Sequence, residues 1–296
     1  TTDYILGMTV VLADGTAVDL GGPWLKNTAG LSLTKLFVGS EGTLGIVTSA
    51  TLRLVPAQPP ASTVVGTFPD VVACSRAVLA ITRRTRPAML EFMDNVSIRA
   101  VEADLRMGLD TTAGAMLLAQ SDLPGPDRAA EAEFMAQAFR DHGATEVFTT
   151  DDPDEGEQFT VARRAAFTSL GKIGTLLEDV GVPLPALPDL VAGIEAISAA
   201  RDVPIALVAH AGDGNTHPII VLEDDDDELA ARAQLAFGEV MDLALRMGGT
   251  ITGEHGVGRL KAPWLPAQVG QDVMELSRRI KGALDPDGLL NPGVML

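Results

Sequence analysis

Apolar positions recur with two periods along the chain, alternating in some stretches and spaced by three and four residues in others, which marks strands and amphipathic helices. Residues 1–56 read as strands. Ile5–Leu12 is followed by the hairpin signal Ala13-Asp14-Gly15-Thr16 and by Ala17–Leu20; Leu33–Val38 and Ile46–Val55 complete the region. Three prolines within Val55–Ala61 mark a linker and domain boundary. Strands and helices then alternate. Strands are expected at Ser62–Phe68, Ala88–Met93, Ala115–Gln120 and Thr145–Phe148. Helices are expected over Asp70–Arg84, from a cap at Asn95 to Met107, and over Asp127–His142. That alternation predicts one sheet with helices packed on it. Residues 154–200 read as helical, with a break at Val182–Pro188. Two strands follow in 202–222, then helices over Asp226–Met247 and Asp272–Leu284.

Two glycine-rich segments interrupt this pattern. His210-Ala-Gly-Asp-Gly-Asn-Thr-His217 follows the apolar run Ile205–Ala209, and Gly253-Glu-His-Gly-Val-Gly258 follows Gly248–Thr252. Three of the chain's four histidines lie in them. Glycine lets the backbone turn tightly and approach a ligand. His210, His217 and Glu254 supply N, N and O donors. That set suits zinc, is compatible with manganese or iron, and leaves coordination positions open for a substrate. His255 then remains for proton transfer, with an unperturbed pKa of ~6.5. Taken singly, each histidine is also explained as a core or loop residue. His142, beside Gly143, is explained by a cationic helix C-terminus.

The run Gly39-Ser-Glu-Gly-Thr-Leu-Gly45 has three glycines in seven residues, so its backbone N–H groups can face an anion or a flat cofactor. It is neither a dinucleotide fingerprint nor a P-loop, and by itself it is also a plain turn. Arg163 and Arg164 stand side by side. Paired arginines are usually solvated, but one can turn inward to hold a carboxylate bidentately.

Composition narrows the function classes. The chain has 296 residues, 46% hydrophobic and 21% charged, which is globular and long enough for two domains. A net charge of −18 argues against nucleic acid as a partner. The acidic runs Asp151–Glu155 and Glu223–Glu228 are expected as solvated loops or helix starts. Apolar runs fall short of the ~18–20 residues that span a bilayer. Cys74 is the single cysteine, which excludes an intrachain disulfide and fits a reducing cytoplasm. No targeting segment is read, and the chain is expected to begin inside a domain.

Four segments occur in the same order in a known family: Thr34–Val47, His210–His217, Gly249–Gly258 and Leu284–Gly293. Together they resemble the FAD-linked oxidases, the group of D-lactate dehydrogenase, the glycolate oxidase subunit and D-2-hydroxyglutarate dehydrogenase within the vanillyl-alcohol-oxidase superfamily. The resemblance covers essentially the whole chain. It implies an α+β fold in which residues 1–56 are the second part of a PCMH-type FAD-binding domain. Residues 57–296 would form a ferredoxin-like α+β substrate domain, with 250–296 returning to the flavin. Relatives carry a further portion ahead of this point, with the first flavin subdomain and its pyrophosphate loop.

The resemblance also assigns roles. FAD is expected at Asn27, at Gly39, Ser40, Glu41, Gly42, Thr43, Gly45, Ile46 and Val47, and at Asn291. His210, His217 and Glu254 match the family's metal ligands, His255 its catalytic base, and Arg163 an arginine that holds the substrate carboxylate. The implied reaction oxidises a D-2-hydroxy acid to the 2-oxo acid. Its electron acceptor is a quinone, an electron-transfer flavoprotein, a cytochrome or oxygen, soluble or loosely docked, and a homodimer is a further expectation. Some relatives have a lysine or tyrosine just before the segment that is Asp179–Pro183 here. This chain has Leu176-Leu177-Glu178, so their substrate choice does not carry over. A metal-dependent hydrolase, or a catalytically incomplete subunit of a flavin oxidase, remains as an alternative.

Overall fold

The computed structural model describes residues 2–172, 175–222 and 226–296, with the side chain of Thr175 excepted. The chain divides into two compact units: Thr1–Ala57 together with Glu254–Leu296, and Gln58–Gly253. The first division falls within the proline-rich stretch.

The first unit opens with strands β1 (Ile5–Val11) and β2 (Ala17–Gly21), helix α1 (Leu33–Phe37) and strand β3 (Ile46–Leu52). The second unit runs β4 (Ser62–Phe68), α2 (Val71–Thr82), β5 (Met89–Asp94), α3 (Asn95–Leu105), β6 (Ala115–Ser121), α4 (Pro126–Asp141), β7 (Glu146–Thr150) and α5 (Pro153–Gly171). It continues with β8 (Thr175–Leu177), β9 (Val180–Gly181), α6 (Leu187–Arg201), β10 (Ile205–His210), β11 (Asn215–Val221) and α7 (Asp227–Arg246). Helices α8 (Leu265–Val269) and α9 (Gln271–Leu284) belong to the first unit again.

In the first unit β1 pairs with β2 and β3 on either side, all antiparallel. Met8, Val10, Phe37 and Leu44 form its buried core, with Ile280 and Leu284 of α9 packed against them. Gly45 is glycine for lack of room, since a Cβ there would sit 2.4 Å from Val10 Cγ1. Strand β3 is exposed along its whole length, Ile46, Val47 and Leu52 included.

The second unit is built on an antiparallel sheet of eight strands among the described residues, in the order β7-β4-β6-β5-β10-β11-β8, with β9 also on β11. Strand side chains alternate between faces. Val65 joins the core that Ile98 and Val101 of α3 form with Ala162, Ala166 and Leu170 of α5. Gly66 and Phe68 follow the alternation, and both meet Phe139 of α4; the two phenylalanine rings lie edge to face at 5.7 Å. Helix α2 follows from its residues: the Asp70 side chain accepts the Ala73 N–H at 2.7 Å, and Val71, Cys74, Ala77, Val78 and Ile81 make one buried stripe. No helix among the described residues is long and apolar enough to cross a membrane.

Three local expectations are corrected. Leu33–Phe37 is helical rather than extended, because Leu33, Leu36 and Phe37 have i, i+3, i+4 spacing and Phe37 anchors the turn in the core. The cap of α3 is Asp94, whose carboxylate accepts the Ser97 N–H at 2.9 Å. Asn95 is the first helical residue, and its Nδ2 donates to Thr111 O and Ala113 O. The span read as helical from 154 to 200 also contains β8 and β9, too short to carry a period. Within the acidic run 223–228, Glu223, Asp224 and Asp225 lie outside the described residues. Asp226 caps α7 through the Leu229 N–H at 2.9 Å. His142 sits at the end of α4 with Nδ1 2.8 Å from Ala138 O.

Candidate functional site

The two histidines of the first glycine-rich segment come from neighbouring strands. In the β10–β11 register Val208 faces His217 and His210 faces Asn215, so both imidazoles point to one side of the sheet. Their rings lie edge to face with centroids 5.2 Å apart. A nitrogen of each lies within 4.8 Å of the other. On the next strand Glu91 is opposite His210. Its Oε1 is 2.7 Å from His210 Nδ1, and its Oε2 is 2.9 Å from Arg163 Nη2. Arg163 comes from α5, which covers this face. It and Glu91 are nearly buried, with side chains 13% and 15% exposed. Arg164 points out and pairs with Glu157 at 2.9 Å.

His217 is buried, with Nδ1 3.7 Å from Asp179 Oδ1. Asp179, fully buried, also fixes the end of this unit: its Oδ2 accepts the Thr252 hydroxyl at 2.7 Å and the Gly253 N–H at 2.9 Å. Glu254 is the next residue in the chain. A cavity of about 580 Å³ opens beside His210 and Glu91, lined also by Thr82, Thr85, Arg86 and Asp213. That is the size of a small-molecule pocket.

The donor chemistry fits a divalent metal. A metal-ligating histidine ordinarily gives its other ring N–H to a carboxylate. Glu91 stands where it can accept an Nδ1–H of His210, which would leave Nε2 as the donor for a metal.

The other candidates belong to the first unit. Gly39, Glu41 and Gly42 have φ of 83°, 52° and 72°, left-handed values that nest-like turns use to aim backbone amides at a ligand. Ser40 and Thr43 are buried, and the Thr43 hydroxyl donates to Ser40 O at 2.7 Å. The Glu41 carboxylate accepts the amides of Val257 and Gly258, at 2.7 and 2.8 Å. Asn291 donates from Nδ2 to the carbonyl of Glu41. Ile46 and Val47 lie exposed on β3, and Asn27, also exposed, accepts the Ala29 N–H at 2.9 Å. His255 and Glu254 are both exposed, with His255 Nε2 4.0 Å from Glu254 Oε1.

Asn291 is set by the loop after α9. Asp285 accepts the N–H groups of Leu289 and Leu290 and pairs with Lys281, which holds its carboxyl at about 2. Lys281 Nζ also donates to Thr43 O and Leu290 O, each at 2.8 Å.

Sequence reasoning missed Glu91 and Asp179. Each had a signal: Glu91 is the one charged residue in the apolar run Ala88–Met93, and Asp179 follows Glu178 inside the apolar segment Leu176–Val182.

A mixed α+β fold with this pair of units has solved counterparts. The 4-ethylphenol oxidase from Gulosibacter chungangensis superimposes with a TM-score of 0.74 at 17% identity, over 98% of this chain and 65% of its own. p-Cresol methylhydroxylase gives 0.74 at 18%, over 98% and 64%. At such identities the likeness is one of fold. Residues 58–295 match the FAD linked oxidases, C-terminal domain, and the chain belongs to that family. Glycolate oxidase subunit GlcD of Bacillus subtilis (strain 168) is 38% identical over 100% of this chain and 63% of its own length. GlcD of Escherichia coli (strain K12) is 37% identical over 99% and 59%. A probable mitochondrial D-lactate dehydrogenase of Danio rerio is 32% identical over 99% and 60%. The chain thus spans about three fifths of the length of these curated relatives.

Proposed function

We propose that the chain carries the metal and substrate site, and part of the flavin site, of an FAD-dependent oxidase that converts a D-2-hydroxy acid to the 2-oxo acid. The observation that carries the reading is the carboxylate-backed pair of histidines, His210 on Glu91 with His217 beside it, in a chain of the FAD-linked oxidase family.

His210, His217 and Glu254 would hold the divalent metal, zinc first among the candidates for an N, N, O donor set. A divalent metal held there would supply Lewis acidity and lower the pKa of a substrate hydroxyl. Arg163, fixed by Glu91, takes the substrate carboxylate; a guanidinium has several N–H donors, so it can serve both. His255 accepts the hydroxyl proton. The Gly39–Val47 segment, Asn27 and Asn291 would hold FAD, with Glu41 fixing the neighbouring Val257–Gly258 backbone. A bound FAD would supply the two-electron oxidation at C2, with a quinone, an electron-transfer flavoprotein, a cytochrome or oxygen as the proposed electron acceptor. The single cysteine fits a cytoplasmic setting, and a homodimer is the proposed assembly.

The test is spectroscopic. The purified chain is mixed with FAD, freed of excess, and titrated anaerobically with glycolate and with D- and L-lactate. Retained flavin bleached by glycolate and by D- but not L-lactate is the expected result. Retained flavin that no 2-hydroxy acid bleaches overturns the proposed reaction. A chain that keeps no flavin shows that FAD binding needs residues the longer relatives have, and overturns the flavin half of the reading for these 296 residues.

A further inference from the structure

We propose that Glu91 is a positioning residue shared by the metal site and the substrate-carboxylate site, one ionised carboxylate holding His210 and Arg163 at once. The inference rests on the reading just given and deepens it: the two proposed sites are coupled through this one side chain.

The argument is one of donors and acceptors. An ionised carboxylate only accepts hydrogen bonds. Oε1 lies 2.7 Å from His210 Nδ1 and Oε2 lies 2.9 Å from Arg163 Nη2, so each oxygen serves a different partner. An acceptor opposite Nδ1 keeps the proton there and leaves the Nε2 lone pair for a metal. Arg163, nearly buried, needs a counter-charge close by, since an uncompensated buried cation is costly. Glu91 is itself nearly buried in a strand that packs against α5, and its desolvation is offset by these two partners together. The same carboxylate thus fixes the imidazole's tautomer and the guanidinium's direction. The geometry links ligand and substrate anchor through a single side chain.

Glutamine tests this better than alanine. E91Q has nearly the same shape but offers one acceptor and one donor where two donors must be met. The buried guanidinium retains the acceptor oxygen. The amide NH2 then faces His210 Nδ1 and favours the tautomer protonated on Nε2, which cannot ligate. Replacing such a supporting carboxylate weakens metal binding about 10–100-fold.

The readout is zinc affinity by chelator competition on the full chain, alongside far-UV circular dichroism, for wild type, H210A, E91Q, E91D and E91Q/R163M. The expected order is wild type tightest, E91D next and E91Q about 10–100-fold weaker than wild type. E91Q/R163M should regain part of the loss, because its amide oxygen is released to turn toward His210. A folded E91Q with wild-type zinc affinity, while H210A loses binding, overturns this inference and leaves the proposed metal site standing. A wild-type chain that binds no zinc overturns both. If E91Q does not fold, E91D carries the comparison, and wild-type affinity with the carboxylate drawn back overturns the inference.

Discussion

Glu41 and Val257 are 216 residues apart in the chain, and the carboxylate of the first accepts the backbone N–H of the second at 2.7 Å. The other oxygen of Glu41 takes the Gly258 N–H at 2.8 Å. The segment after His255 is therefore held by a side chain from the glycine-rich turn. Hydrogen bonds to a charged group contribute more than neutral ones, so Glu41→Ala should lower stability by about 1.5–3 kcal/mol, and Glu41→Gln, which keeps one acceptor, by less. Urea denaturation of the two variants checks the order. Equal stability of Glu41→Ala and wild type would show that the contact holds nothing.

Asp94 caps α3 from a buried position, and burial pushes its carboxyl up to about 6 from 3.8. The native state thus holds a proton that the unfolded chain gives up earlier. Stability from this group is full below the unfolded value and is lost as pH rises through about 6. Asparagine caps about as well as aspartate and cannot ionise. Asp94→Asn is expected to remove this part of the pH dependence and to stabilise the chain at neutral pH, by on the order of 2 kcal/mol. Denaturant melts at acidic and neutral pH should show the gap between variant and wild type opening with pH.

Cys74 is fully buried on α2, and burial pushes its thiol well above the usual range. Only the thiolate reacts. A thiol reagent such as iodoacetamide should label the native chain negligibly and the urea-unfolded chain stoichiometrically, which mass spectrometry resolves. Rapid labelling of native protein would show that α2 opens locally.

Much of the fold was legible because its elements are long and strongly patterned. Val71–Ile81 has one buried stripe and an aspartate in front, and Ile205–Ala209 is an unbroken apolar run between polar ends. What stayed hidden was short or tertiary. Strands β8 and β9 have three and two residues, fewer than either period needs. Leu33–Phe37 is only five residues long and contains residues that suit a strand, so its i, i+3, i+4 spacing becomes decisive only with Phe37 placed in the core. The histidines and Arg163 stood out through residue type and resemblance. Glu91 lies 119 residues from His210 in sequence, so pairing the two required the β5–β10 register.

Gly66 marks where α4 presses on the sheet. An added Cβ would sit 2.6 Å from Phe139 Cδ2, inside the shortest contact that real side chains make. Phe139 is fully buried and packed against Phe68, so it has little room to yield. Gly66→Ala should destabilise by about 1–3 kcal/mol through overpacking. Gly66→Ala with Phe139→Leu should recover part of that loss if the ring is the obstacle. A thermal melt of single and double variants separates this from a backbone effect, which the second change would leave untouched.

Asp285 connects stability to the proposed flavin site. Its carboxylate accepts the amides of Leu289 and Leu290 and pairs with Lys281, so the loop leading to Asn291 closes on one charged group. The ion pair holds the Asp285 carboxyl at about 2, below the ordinary 3.8. A depressed carboxylate contributes stability that is full above the unfolded value and is lost as pH falls through the folded one. Asp285→Asn should therefore lower the melting temperature at neutral pH by several degrees, with the difference from wild type shrinking between about 3.8 and about 2. A gap independent of pH would assign the loss to the amide contacts instead of to the charge. Asn291 reaches the Glu41 carbonyl from this loop. If the chain retains FAD, Asp285→Asn should also release it faster at neutral pH, and unchanged flavin retention would detach the loop from the cofactor.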